Sequence, residues 1–321
     1  MDEVTLRVTV AELLEEAWRR PVNVISLQRR PSPFATLFPA EVLSISLEGG
    51  DRFSLFLKHL GSEQADHPDK QCRDREIRIY EELLRDKDLP VVRYYGWRWD
   101  ETTKRRELFL EYIDDYKLEW HELEHWFTAA HRLAYLHAHF AQRVEKLLAC
   151  DFLLRFDSTY FMEWANRALC TVGNQSVELA TKLEPIVQRC SRIADLLSGQ
   201  SLTLVHNDLA PKNALANTSH SPARICFVDW EMAGVGCGLL DLVHLNYGFK
   251  AAEDRKMRSI YCGELAGTGL LPSSARDLKS LFAACALHKG LYRLAGSQSR
   301  GVGVKRVARW VSEVQHHFAQ T

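Results

Sequence analysis

The sequence has 321 residues, of which 46% are hydrophobic and 26% charged, a balance typical of an ordinary soluble globular protein with one large or two modest domains. Its 41 basic and 42 acidic side chains leave a formal charge of −1, so no global field attracts it to nucleic acid or an anionic membrane. No apolar run reaches membrane-spanning length, the N-terminus lacks a signal-peptide pattern and the eight scattered cysteines contain no CxxC pair; we therefore predict a cytoplasmic protein with reduced thiols.

The pattern of the N-terminal segment predicts one helix, and a glycine-free segment follows later in the chain. Thr9 and Glu12 have the spacing of a capping box, which places the helix start at Thr9 and its end before Pro21. The later segment 29–39 (RRPSPFATLFP) contains no glycine, and its hydroxyl groups belong to Ser32 and Thr36. It is either a loop over a ligand or an ordinary turn set by its prolines.

Period-2 alternation and turn residues predict a mixed α+β N-terminal domain, in which a five-stranded antiparallel sheet carries one helix. The helix is Arg73–Leu84. The predicted strands are Val22–Gln28, Ala40–Leu47, Phe53–Leu60, Val91–Trp99 and Glu107–Ile113. The domain boundary is predicted after residue 113, so the chain divides into 1–113 and 114–321.

Lys58 lies within the otherwise apolar strand FSLFLKHL. A buried ammonium group requires a partner, since burying an uncompensated charge is costly. Glu76, at the edge of the apolar face of the predicted helix, is the candidate partner. The alternative is that Lys58 extends to solvent and Glu76 is solvated.

The remainder of the chain is predicted to be mostly helical. Helical spacing of apolar residues indicates two groups of helices, one before and one after residues 200–241. The predicted helices are Trp126–Phe140, Asp151–Arg167, Val177–Leu197, Leu242–Lys250, Ala251–Ala266, Ser274–Leu294 and Val302–Phe318. Gly173-Asn174 is predicted to separate the second from the third. His131, His137 and His139 do not share one helix face, which favours core or interface histidines over a metal site.

The most informative segment is Leu202–Asp241. A buried strand, Leu202–Val205, is followed by a polar cluster that ends in Asp208, and Asn213 follows five residues later. Two short strands, 214–216 and 225–228, are predicted to form a hairpin that brings Asn213 beside Asp229. Two carboxylates and an amide oxygen suit Mg²⁺, and a carboxylate free of the metal could accept a proton from a hydroxyl group.

This segment resembles the aminoglycoside phosphotransferase and choline kinase family, the small-molecule branch of the protein-kinase-like fold. The family pattern is His-Gly-Asp, four residues, Asn, an apolar strand, Asp-Trp or Asp-Phe with a following Glu, and a later Asp-Leu. The matching residues here are His206-Asn207-Asp208, Asn213, Asp229-Trp230-Glu231 and Asp241-Leu242. Asn207 departs from the usual Gly. Turn-forming Asp and Asn residues are the alternative explanation for each position taken singly.

The resemblance implies a two-lobed fold whose C-terminal, mostly helical lobe carries the catalytic residues. Asp208 would be the catalytic base, Asn213 and Asp229 would be the metal ligands, and Asp241 would support the loop. Lys212 would lie close to the transferred phosphoryl group or face solvent.

The resemblance also implies the nucleotide site in the N-terminal lobe. The Lys58–Glu76 ion pair would hold the lysine against the α- and β-phosphates. Backbone groups near Glu111 and Ile113 would read the adenine edge.

The predicted activity is transfer of the γ-phosphoryl group of ATP or GTP, with Mg²⁺, to a hydroxyl group of a small molecule. The alternatives are a nucleotide-binding pseudokinase without turnover, and an unrelated helical binding protein that Mg·ATP would not stabilise. A polycationic acceptor would need an acidic cleft. The candidate carboxylates for it are Asp114, Asp115, Glu119, Glu163 and Glu231.

Overall fold

The computed structural model describes residues 2–33, 38–61, 67–113, 117–118 and 121–321. The chain divides into two compact units. The first comprises Met1–Trp120 and Ala214–Met232, and the second comprises His121–Asn213 and Ala233–Thr321. The predicted domain boundary between residues 113 and 114 stays a prediction. The first compact unit also includes the later segment 214–232.

The first unit contains the predicted five-stranded antiparallel sheet, in the order β1-β2-β3-β5-β4. The strands are β1 (Val24–Pro31), β2 (Ala40–Leu47), β3 (Arg52–Leu60), β4 (Tyr94–Asp100) and β5 (Arg105–Glu111). The first strand is longer than predicted, because Pro31 still pairs with Glu41 of β2. Proline is tolerated there since β1 is an edge strand.

Helix α1 (Glu3–Trp18) packs one apolar face against this sheet. Leu6, Val10 and Leu13 share a buried cluster with residues of β1, β2, β3 and β5. The prediction that the helix starts at Thr9 is wrong. Asp2 is the N-cap, its side chain accepts a hydrogen bond from Thr5 N, and Thr9 is buried within the helix.

The first unit also contains a second helix and a hairpin. Helix α2 (Arg75–Glu82) is the helix predicted between β3 and β4. The predicted hairpin is also present, as β8 (Ala214–Asn217) paired with β9 (Arg224–Phe227). Phe227 N donates a hydrogen bond to Pro90 O at 2.7 Å, which attaches the hairpin to the segment that leads into β4.

The second unit is mostly helical, as predicted. Among its described residues the α-helices are α3 (Leu123–Ala141), α4 (Val144–Ala149), α5 (Ser158–Gln175), α6 (Val177–Val187), α7 (Cys190–Ser198), α8 (Leu239–Leu245), α9 (Ala251–Glu264), α10 (Ala275–Ala295) and α11 (Val304–Phe318). Helix α10 is central, since it packs against α5, α7, α8 and α11. A small sheet joins β7 (Thr203–Val205) to β10 (Gly234–Gly236) and β6 (Leu154–Arg155).

Several helix boundaries differ from the predicted ones: the helix predicted from Asp151 begins at Ser158, after strand β6, and two breaks lie elsewhere. Helix α5 continues through Gly173-Asn174 to Gln175 and stops at Ser176, which has an extended backbone and whose side-chain Oγ caps α6 by accepting a hydrogen bond from Leu179 N. The predicted helix Val177–Leu197 is two helices that divide at residues 188–189. Serine satisfies the exposed N–H groups at a helix start, so capping and not glycine sets the first break.

Within the described ranges, none of the helices combines the length and apolarity needed to cross a bilayer.

Candidate active site

The loop that carries Asp208 follows β7 in the second unit. Asn213 ends a 3-10 turn at Pro211–Asn213, and its Nδ2 atom donates to Asp208 O at 2.8 Å and to Asp208 Oδ2 at 3.1 Å. Asn213 is buried, whereas the Asp208 side chain remains 23% exposed. The structure therefore brings these two predicted site residues together and leaves the carboxylate accessible.

Two basic side chains approach the Asp208 carboxylate. Lys212 Nζ lies 3.4 Å from Oδ2, so this lysine contacts the predicted base even though nearly half of its side chain is exposed. His244 Nε2 lies 4.0 Å from Oδ1. Burial, reinforced by the positive charge of Lys289, lowers the pKa of His244 to about 3, so this imidazole is neutral at physiological pH.

Asp241 fixes the start of the same loop from α8. Its Oδ2 accepts the backbone N–H of His206 at 2.7 Å, and its Oδ1 accepts the backbone N–H of Asn207 at 2.9 Å. All three residues are completely buried. Burial alone would raise the pKa of Asp241, but hydrogen bonding and charge from His137 outweigh it and lower the pKa. The predicted structural role of Asp241 is confirmed.

A buried histidine holds Asp241 from behind. His137 Nε2 lies 3.3 Å from Asp241 Oδ2, and His137 Nδ1 lies 2.6 Å from Tyr261 OH. Gly238 makes this arrangement possible, since a Cβ atom there would lie 2.6 Å from His137 Nδ1. His137 is thus a core histidine, as its helical position predicted, but its partners were not visible in the sequence.

We expect Asp241→Ala to destabilise the second unit by about 3 kcal/mol, because two buried backbone N–H groups lose their acceptor. Urea unfolding followed by circular dichroism measures this loss. Asp277→Ala, which removes an exposed carboxylate on α10, is the matched control and should cost less than about 1 kcal/mol. Equal effects in the two variants would contradict the role of Asp241.

Lys58, Glu76 and Asp229 form a compact charged group in the first unit. Lys58 Nζ lies 2.6 Å from Glu76 Oε2 and 2.6 Å from Asp229 Oδ1. The predicted Lys58–Glu76 ion pair is therefore present, and the lysine also binds Asp229. The Glu76 side chain is 3% exposed and that of Asp229 is 27% exposed, so only the aspartate has appreciable contact with solvent.

The electrostatics of this group are those of one cation shared by two acids. Burial opposes the charge on Lys58, but Asp229 and Glu76 outweigh it and raise the pKa of the lysine, which stays protonated. Burial, together with the negative charge of Asp229, raises the pKa of Glu76 to about 7. A second positive charge near the two acids would relieve their repulsion.

Interactions that the sequence did not predict hold the segment after Asp229. Arg75, at the start of α2, is buried and donates from Nη1 to Glu231 O at 2.6 Å. The Glu231 side chain pairs with Lys70. Asp229 itself has a φ of +69°, a left-handed conformation that Asp adopts more readily than most residues. In the sequence, the only indication of the Arg75–Glu231 contact is the arginine directly before Glu76.

The two predicted adenine-reading residues lie at the end of β5. Ile113 is buried. The Glu111 carboxylate accepts two hydrogen bonds from Arg224 of β9, at 2.6 and 2.9 Å, and its backbone N–H donates to Arg93 O. The Glu111 side chain is therefore engaged in holding the hairpin, and adenine recognition by backbone groups at this position stays a prediction.

Of the remaining predicted site residues, two lie in the part of the chain that the structure describes and the others lie outside it. Ser32 is buried, and its N–H donates to Ala40 O at 2.8 Å. Glu163 is exposed on α5. The other candidates, which lie outside the described residues, are Thr36, Asp114, Asp115 and Glu119.

A family model described as "Phosphotransferase enzyme family" matches residues 46–272, more than half of the chain. The chain belongs to the phosphotransferase enzyme family. The matched range contains the predicted base, metal ligands and nucleotide-site residues, from Lys58 to Asp229, whereas the candidates Ser32 and Thr36 precede it. A search of curated proteins finds no significant match to this family member.

Solved structures support the same assignment of fold. The family member is similar to the choline kinase LicA from Streptococcus pneumoniae, with 15% identity, a TM-score of 0.55 and coverage of 99% of this chain and 100% of that one. It is similar to macrolide 2′-phosphotransferase MphH from Brachybacterium faecium, with 17% identity, a TM-score of 0.57 and coverage of 94% and 97%.

A third similar structure is aminoglycoside 2′-phosphotransferase-IIIa in its GDP complex, with 13% identity, a TM-score of 0.59 and coverage of 98% of this chain and 97% of that one. At such identities the likeness is one of fold. The predicted protein-kinase-like fold of this family member is confirmed.

Proposed function

We propose that this protein transfers the γ-phosphoryl group of ATP or GTP to a hydroxyl group of a small molecule. One observation carries the proposal. In this member of the phosphotransferase enzyme family, Asp208 is a partly exposed carboxylate held by Asn213 in a loop of the second unit. An accessible carboxylate in a fixed orientation is what general-base activation of an alcohol requires.

In this proposal Asp208 orients the acceptor hydroxyl and takes up its proton. Two features of the loop support that role. Asn213 constrains the carboxylate, and Asp241 fixes the two residues before it through buried hydrogen bonds. Because phosphoryl transfer depends mainly on positioning and charge stabilisation, a rigid base is more useful here than a strongly basic one.

Nucleotide binding is assigned to the first unit. Lys58 is held by Glu76 and Asp229 in the way that a phosphate-binding lysine is oriented in kinase-like folds. Backbone groups near Glu111 and Ile113 would contact the base. Two similar structures are nucleotide complexes, LicA with AMP and the aminoglycoside 2′-phosphotransferase with GDP, which supports nucleotide binding by analogy.

The proposed Mg²⁺ ligands are Asn213 and Asp229. Their chemistry fits a hard cation, since Asp229 offers carboxylate oxygens, and Asn213 commits its Nδ2 atom to Asp208, leaving its amide oxygen for a metal. Among the described residues no group of three His, Cys, Asp or Glu side chains could hold a metal, so water and phosphate oxygens would complete the shell. When bound, Mg²⁺ would neutralise phosphate charge.

The test is ADP or GDP release by the purified protein with Mg·ATP or Mg·GTP, across panels of aminoglycosides, amino alcohols, sugars and nucleosides. We expect at least one acceptor class to stimulate release well above the acceptor-free rate. Thermal stabilisation by Mg·nucleotide without acceptor-dependent release from any panel would favour the pseudokinase alternative. Absence of both signals would overturn nucleotide binding itself.

A further inference from the structure

Asn207, the residue directly before Asp208, has an unusual backbone and is completely buried. Its φ is +66°, in the left-handed region that favours glycine, the residue usual at this position in the family pattern. Asparagine tolerates this region better than most other residues. A buried asparagine side chain nevertheless adds polar atoms that need partners.

Every polar group of Asn207 has a partner from a different part of the helical unit. Its backbone N–H donates to Asp241 Oδ1 at 2.9 Å from α8, and its Nδ2 donates to Tyr160 OH at 3.1 Å on α5. Its backbone oxygen and its Oδ1 both accept from Lys289 Nζ of α10, at 2.6 and 3.1 Å. Three helices thus converge on the residue next to the proposed base.

Lys289 is the costly member of this set. It lies within the long helix α10 and is 7% exposed, with its ammonium group beside the Asn207 oxygens and 5.6 Å from the centre of the Tyr292 ring. Burying a lysine is unfavourable unless its charge is compensated. An apolar side chain would fill such a position at lower cost, so a packing role alone gives no reason for a lysine here.

We propose that Lys289 is a positioning residue, which clamps the Asn207–Asp208 peptide and thereby fixes the direction of the Asp208 carboxylate. The proposal rests on the function assigned to Asp208 above. Lys289 acts through Asn207, because its ammonium group donates to that residue on both the main chain and the side chain. The Asn207 side chain supplies a second acceptor that glycine lacks, so Asn207 and Lys289 hold the loop together.

The two backbone groups of Asn207, which belong to successive peptide units, are held by opposite charges. The Asp241 carboxylate accepts the Asn207 N–H group, and the Lys289 ammonium binds the Asn207 carbonyl oxygen. Hydrogen bonds to charged partners are stronger than neutral ones. Removal of the lysine would therefore free the carbonyl group of the Asn207–Asp208 peptide, while Asp241 still holds the Asn207 N–H group of the preceding peptide. A small rotation there would turn Asp208.

The test compares Lys289→Met with Lys279→Met, which replaces an exposed lysine on the same helix. We expect Lys289→Met to lower kcat by about tenfold or more while the KM values for nucleotide and acceptor change less than about threefold, because a misplaced group slows the chemical step. Hydrogen exchange should become faster in peptides covering 203–213. Lys279→Met should change neither quantity.

Two outcomes would overturn the proposal: an unchanged kcat in Lys289→Met, or a lowered kcat with exchange across 203–213 the same as in the control. If Lys289→Met does not fold, Lys289→Leu, which likewise removes the donor, is measured against the same criteria. If the wild-type protein shows no turnover with any acceptor, the proposed function fails. The exchange measurement then decides separately whether Lys289 clamps the loop.

Discussion

Replacing Asp208 with alanine is expected to abolish phosphoryl transfer while nucleotide binding survives. The loss should be about 10²- to 10⁴-fold in kcat, the range for removing a positioned general base. Asp208 is in the second unit and partly exposed, so its truncation leaves the Lys58 group of the first unit intact. Single-turnover formation of ADP with a competent acceptor measures the chemical step, and calorimetry with Mg·nucleotide measures binding.

Asp208→Asn is the matched control for shape, since it has nearly the same size and can still contact Asn213 but cannot accept a proton. We expect it to be almost as inactive as Asp208→Ala. Asp277→Asn, which removes an exposed carboxylate on α10, tests whether loss of any one negative charge suffices and should keep near-normal turnover. A rate close to wild type in Asp208→Ala would refute the assignment of the base.

Lys58→Met is expected to have the second-largest effect, on both stability and nucleotide binding. Lys58 is the shared partner of Glu76 and Asp229, at 2.6 Å from each. Removing one partner from a buried ion pair leaves an uncompensated charge, and here the loss should be about 3 kcal/mol at neutral pH. Urea unfolding of the nucleotide-free protein measures it. Mg·nucleotide affinity should fall with it, because Lys58 is the proposed phosphate contact.

The effect of Lys58→Met should grow as pH rises. The pKa of Glu76 is raised from 4.5 to about 7 in the folded wild type, so its protonated form adds stability below 4.5 that is lost as pH rises through about 7. Without Lys58 that pKa rises further, so the variant continues to lose stability above pH 7, where the wild type has levelled off.

Lys58→Met/Glu76→Gln provides the control for this pH effect. It removes the titrating group and should be more stable than the single variant above pH 7, with a flatter pH profile. If the single and double variants have the same profile between pH 6 and 8.5, Glu76 is not the group that titrates.

The fold and the candidate site were predictable to different degrees. The spacing from His206 to Asp241 predicted the loop that carries Asp208 and the hairpin, because strand alternation and turn residues are local signals. The Lys58–Glu76 pair followed from the cost of burying a lysine, and the structure contains it. The start of α1 was missed, because Thr9 and Glu12 imitate a capping box inside a helix that begins at Glu3.

The contacts that hold the loops could not be predicted. Lys289 is 82 residues from its partner Asn207, and Arg224 is 113 residues from Glu111. Nothing in the local pattern of α10 distinguishes Lys289 from an exposed lysine, because the side chain's environment is set by which helices pack together.

The sequence by itself therefore determined the candidates for the chemistry and the order of strands and helices around them, since both depend on residue type and short-range periodicity. The tertiary structure alone decided how those residues are held: Asp241 beneath the loop, Lys289 on the Asn207 carbonyl and Arg75 on Glu231. The physical reason is that a buried charge or backbone donor is stabilised by whatever partner the fold brings near. That partner is fixed by packing between distant segments.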